Sequence, residues 1–186
     1  MKYGFTLLLL CFVPLSHLCS QAAEGELNKK IIAGYLHAIK TFDHEATRSY
    51  NHPAKPFAEE KMKGYREFEK NTSTKWRFRI VRSNKDSVFV YERESNLFYD
   101  ALGVGERIQL YCYILKEGLI YQTVCINMRH RKGEYRTAYT RFFAWMQKSG
   151  AQKDTSLIKN DDLVFDGRSA INMKPWLREW RKMNAK

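Results

Sequence analysis

The sequence predicts an α+β fold in which N-terminal helices pack on a strongly curved antiparallel sheet and a C-terminal helical extension follows. Three observations carry the prediction. Apolar residues recur at helical spacing over residues 31–42 and again over 57–68. The pattern then changes to period two from Trp76, with two long runs at 107–115 and 119–128 joined by Glu117-Gly118. From Tyr135 onward the helical spacing returns.

The first helix is expected over residues 27–50, with a break near Asp43, since Ile31, Ile32, Tyr35, Leu36, Ile39 and Phe42 line one face. Asn51-His52-Pro53 ends it, because proline disfavours helix in the residue before it. Pro56 suits the first turn of a second helix that carries Phe57, Met62, Tyr65 and Phe68 to about Lys70. Trp76, Phe78 and Ile80 alternate with Arg77, Arg79 and Val81 in a first strand, and Val88-Phe89-Val90-Tyr91 begins its return after a turn at Asn84-Lys85-Asp86. Residues 96–105 read as a short helix or loop with Leu97, Phe98, Tyr99 and Leu102 turned inward. The 107–115 and 119–128 runs form a hairpin about Glu117-Gly118. Residues 135–149 and 167–183 are helical, with Pro175 a break or fresh start in the second of them.

The N-terminus reads MKYGFTLLLLCFVPLSHLCSQAA. Lys2 supplies a positive start, residues 5–15 an apolar run, and Ser20 and Ala22 the small residues of a cleavage site, so a signal peptide over 1–22 and cleavage after Ala22 are expected. Residues 23–186 are then one domain, with a helical tail over about 133–183, and the protein is exported, periplasmic or secreted. A retained anchor is the alternative. Lipidation at Cys19 is disfavoured by Leu18 and His17 before it.

The net charge is +12, and loss of Lys2 leaves 31 basic against 20 acidic residues, or +11. That balance favours an anionic partner, but the basic residues are spread along the chain, which suits a solvated surface better than a specific nucleic-acid site. No later segment is apolar enough to span a membrane. Two cysteines remain after cleavage, Cys112 and Cys125. Export permits a disulfide, yet the hairpin register places them diagonally on one sheet face, further apart than directly opposed residues. Two free thiols are the alternative.

IIAGYLHAIKTFD, NLFYDALG with YCYILKEGLI, and DDLVFDGRSAINMKPWLREWR together resemble the nuclear transport factor 2-like (cystatin-like, SnoaL-like) superfamily over residues 27–183. The resemblance implies a cone-shaped fold with a pocket between helices and sheet, and a sheet-to-sheet homodimer is frequent in that group. Ketosteroid isomerase, one of its members, uses a carboxylate base, a first-helix tyrosine and a neutral carboxylic acid. Tyr35 falls at the tyrosine's place. The acid should lie near Gln109 to Tyr111, where none occurs, and Glu59 and Glu60 beyond the first helix are expected to face solvent. Tyr35 is therefore a candidate catalytic donor, weighed against a core residue with a wet hydroxyl.

Other candidates are weaker. Asp43 suits a helix cap, and His44 and His52 are expected at the surface. The spacing of Asp154, Asp161, Asp162 and Asp166 does not fit a calcium loop. No phosphate loop, nucleophile elbow or CxxC occurs, so neither metal nor cofactor is expected. The positive signal is aromatic: Tyr91, Phe98, Tyr99, Tyr111, Tyr113, Tyr121 and Trp145 are expected to form or flank a pocket for a small apolar ligand, or else to fill the core. Three functions follow. The first is a binding or interaction protein without catalysis, the second an isomerase- or cyclase-like enzyme on a hydrophobic substrate, and the third a basic envelope scaffold for acidic partners.

Overall fold

The computed structural model describes residues 15–54 and 59–184, with side chains from residue 23 onward. Most of the predicted signal peptide, and Pro56 and Phe57, lie outside the described residues. Helix α1 runs Leu15–Lys40 and buries Ile32, Tyr35, Leu36 and Ile39. Helix α2, His44–Ser49, follows at once. The expected 27–50 helix is split because Phe42 takes φ 57° and Asp43 is extended, its carboxylate accepting from Ala46 N at 2.9 Å. Helix α3 spans Glu59–Asn71, and Glu59 and Glu60 face solvent as expected.

Strands β1 (Lys75–Ser83), β2 (Ser87–Ser95), β3 (Arg107–Lys116) and β4 (Leu119–His130) form one antiparallel sheet in the order β1-β2-β3-β4. The β3–β4 turn takes positive φ at Glu117 (54°) and Gly118 (74°), which matches the twist of the strands it joins. Helix α4, Leu97–Leu102, crosses between β2 and β3, capped by Asn96 Oδ1 at 2.8 Å from Tyr99 N and ended by Gly103 at φ 72°. Phe98, Tyr99 and Leu102 are buried, but Leu97, expected inside, is exposed at the first helical position. Helices α5 (Tyr135–Lys148) and α6 (Gly167–Asn184) follow, with a small hairpin of β5 (Ile158–Lys159) and β6 (Asp162–Leu163) between them. Pro175 does not break α6. Its ring removes the bond to the carbonyl of Ile171, an exposed residue that water can serve. Among the described residues no helix is long and apolar enough to cross a membrane.

The cysteine geometry corrects the sequence-based register. A shift in β3–β4 pairing between Ile114 and Leu115 sets Tyr111 opposite Cys125 and Cys112 opposite Val124. Cys112 and Cys125 therefore lie on opposite faces of the sheet, and both are free.

Two apolar cores result. In one, α1 packs Ile32, Leu36 and Ile39 on Val88, Val90, Leu115 and Ile120 of the sheet. In the other, Phe68 of α3 and Phe98 of α4 meet Phe142 and Met146 of α5 and Met173, Leu177 and Trp180 of α6.

Candidate functional site

The inner face of β2 changes character along its length. Val88 and Val90 point into the apolar core, and the same period of two carries Glu92 and Glu94 inward behind them. Both carboxylates are buried, Glu92 at 3% exposure and Glu94 at 0%. On β3 the matching inward positions hold Arg107, Gln109, Tyr111 and Tyr113. Helix α3 faces them with Tyr65, Arg66 and Glu69. These β3 and α3 groups, with Glu92 of β2, Tyr35 and Ile39 of α1 and Trp76 of β1, line a cavity of about 470 Å³.

Buried charge persists only when it is paired and hydrogen-bonded. Arg66 binds Glu69 one helical turn away, and Arg107 binds Glu94 across the sheet. Glu94 also accepts from Asn96 Nδ2 at 3.0 Å. Gln109 bridges the next pair, its oxygen accepting from Arg107 Nε at 2.8 Å and its nitrogen donating to Tyr111 Oη at 2.6 Å. Among the described residues Glu92 has no ion-pair partner. Tyr113 Oη donates to its Oε1. Glu69 Oε1, Arg66 Nε and Trp76 Nε1 are buried with no hydrogen-bond partner among the described residues.

The electrostatics follow from that arrangement. Burial pushes the Glu92 carboxyl up to about 7, against the opposing pull of the Tyr113 hydrogen bond, Arg107 and Arg66. Burial likewise raises Glu69 to about 7, with Arg66 offsetting part of it. Burial raises Tyr35 to about 12 and Tyr111 to about 12, and it holds Tyr113 well above its usual range. The cavity thus presents two carboxyls that change charge near neutrality beside phenols that remain protonated.

A smaller cleft, of about 180 Å³, adjoins it beyond Tyr65 and Arg107. His130 lies there, stacked on Tyr135 with centroids 5.0 Å apart and edge-on to Tyr99. Burial lowers its pKa.

The expected site residues disperse. Tyr35, Tyr111 and Tyr113 line the main cavity. Among the described residues Tyr35 Oη makes no hydrogen bond, and its ring is edge-on to Tyr113 at 5.6 Å and Tyr50 at 6.1 Å. Phe98 and Tyr99 belong to the helical core and border the smaller cleft. Trp145 packs on Trp176 and Trp180 in that core. Tyr121 lies against His52 and Lys116. Tyr91 is exposed on the opposite sheet face beneath Arg79. His52, expected at the surface, is buried, its Nδ1 accepting from Ala54 N at 3.1 Å. His44, Glu45 and Glu59 lie within 4.8 Å of one another, but the two glutamates are exposed and Glu59 already pairs with Arg48 at 3.0 Å.

Sequence reasoning missed Arg66, Glu69, Glu92, Glu94 and Arg107. The signal was present in the strand period, since Glu92 and Glu94 continue the phase of Val88 and Val90. No family model matches the chain, and no curated protein or solved structure is detectably similar to it.

Proposed function

We propose that this chain is an exported protein of the nuclear transport factor 2-like group, and that its open cavity between helices and sheet binds a small organic molecule. The supporting observation is the cavity itself. Its volume, about 470 Å³, is in the range of ligand sites, roughly 300–1,000 Å³. Its walls combine aromatic rings with a few convergent polar groups. The resemblance of IIAGYLHAIKTFD to the first helix of that group supports the family reading, and with it a strongly curved, cone-like sheet. The leader-like N-terminus supports export. A filled interior would instead favour a basic scaffold for acidic partners.

A second reading, an isomerase- or cyclase-like enzyme, is favoured by one observation: Glu92 accepts a hydrogen bond from Tyr113 at the cavity wall. Glu92, with its carboxyl near 7, is then the group that moves a proton, and Tyr35 only shapes the wall. Native mass spectrometry of protein made in an exporting host tests the binding reading. Thr123 is exposed on β4 at the edge of the cavity, so Thr123→Trp fills the opening without disturbing the core. A small molecule retained by the natural protein and lost from Thr123→Trp is the expected result. Retention unaffected by Thr123→Trp would place the ligand elsewhere and refute the assignment.

A further inference from the structure

We propose that the cavity takes a small organic cation, a protonated amine whose ammonium group sits against the Glu92 carboxylate and whose apolar part lies along the aromatic walls. The inference rests on the small-molecule reading above. It follows from the pairing of charges. Three buried carboxylates, Glu69, Glu92 and Glu94, face two guanidinium groups, Arg66 and Arg107. Arg66 is taken by Glu69 and Arg107 by Glu94. Among the described residues Glu92 is left without a cation, and with the three carboxylates ionised one monovalent cation balances the cluster.

Hydrogen bonding points the same way. Tyr113 satisfies Glu92 Oε1, and among the described residues Glu92 Oε2 accepts nothing. Glu69 Oε1 is a second acceptor, buried and with no partner among the described residues. An ammonium group donates to both kinds of oxygen. Tyr35, Trp76 and Tyr111 supply aromatic surface to the same cavity, which attracts cations through the ring faces. An anionic ligand would have to draw Arg66 or Arg107 from its carboxylate and would then meet Glu92 as a like charge. A neutral ligand would leave the Glu92 carboxylate uncompensated above neutrality, where it is ionised.

The groups acting on Glu92 are Tyr113 and Arg107 from β3, Arg66 from α3 and Glu94 from β2, with Tyr35 of α1 at the same wall. Its carboxyl, raised to about 7, is mostly protonated at acid pH and ionised above neutrality. An alkylammonium group stays charged to a pKa of about 10. Affinity for the cation therefore rises as pH increases through 7.

Three probes of matched shape test the inference by isothermal titration calorimetry at pH 8: phenethylammonium, phenethyl alcohol and 3-phenylpropionate. Phenethylammonium is expected to bind about tenfold more tightly than either of the others. Its affinity falls several-fold between pH 8 and pH 6. Glu92→Gln, with circular dichroism as the control for folding, weakens the ammonium about tenfold and leaves the alcohol unchanged. Tyr113→Phe removes the hydrogen bond that Glu92 accepts, so it moves the pH dependence to higher pH and provides a second variant should Glu92→Gln not fold. Equal or tighter binding of the alcohol or the propionate overturns the cation inference and leaves the small-molecule reading standing. Undiminished ammonium binding by folded Glu92→Gln also overturns it. Failure of all three probes overturns both readings.

Discussion

Replacing Glu92 by glutamine should change the pH dependence of stability in a defined direction. The folded protein holds this carboxyl at about 7, against an ordinary value of 4.5. The folded state therefore binds the proton more tightly than the unfolded chain. The associated stability is fully present below the unfolded value near 4.5 and is lost as pH rises through the folded value near 7. The total loss is about 3 kcal/mol, at about 1.4 kcal/mol for each tenfold change in proton affinity. Glutamine keeps the shape and still accepts from Tyr113, but it cannot ionise. Urea denaturation of both proteins between pH 5 and pH 8 reads the difference. The stability of Glu92→Gln relative to the natural protein should climb by about 2–3 kcal/mol over that interval and level off above pH 8. Glu69, also raised to about 7, is present in both proteins and largely cancels. Parallel stability curves would refute the claim that Glu92 is buried without a cationic partner.

Two further perturbations probe the frame around the cavity. Arg107→Met leaves Glu94 buried without its guanidinium and should cost about 3–5 kcal/mol in chemical denaturation, whereas the double change with Glu94→Met should recover most of that loss. Gly34→Ala places a methyl group on the Tyr50 hydroxyl and 2.9 Å from its Cζ, so the ring that packs on Tyr35 must move. A loss of about 1–3 kcal/mol in thermal or urea melts is expected.

The elements of the fold were largely legible in the sequence, and the chemistry was not. The period of 3.6 in α1 and the glycine turn between β3 and β4 are strong local signals that tertiary packing left intact. The break at Asp43 was also visible, because aspartate at that position offers a cap. Pro175 misled because its local cost depends on whether the freed carbonyl reaches water, a property of the packed structure. Cys112 and Cys125 misled because one extra residue in β4, between Ile120 and Gln122, shifts the pairing of everything after it by one and so inverts the faces. The buried charges were hidden for a different reason. Charged side chains in a strand or helix ordinarily face solvent, and Arg66 and Glu69 on α3, like Glu92 and Glu94 on β2, look like such a face until the apolar phase is extended through them. Tyr35 was visible as an inward tyrosine, but its lack of a hydrogen-bond partner among the described residues is set by where α3 and the sheet place their side chains.

The indole N–H resonances of the protein offer the most direct test that the cavity is the ligand site. The chain has four tryptophans. Trp76 lines the cavity with its Nε1–H buried and without a hydrogen-bond partner among the described residues. Trp145, Trp176 and Trp180 lie in the helical core and serve as internal controls. In a ¹⁵N–¹H titration with phenethylammonium at pH 8, the Trp76 indole should shift and saturate while the other three stay fixed. A saturating shift at one of the three core tryptophans with Trp76 unmoved would contradict the account.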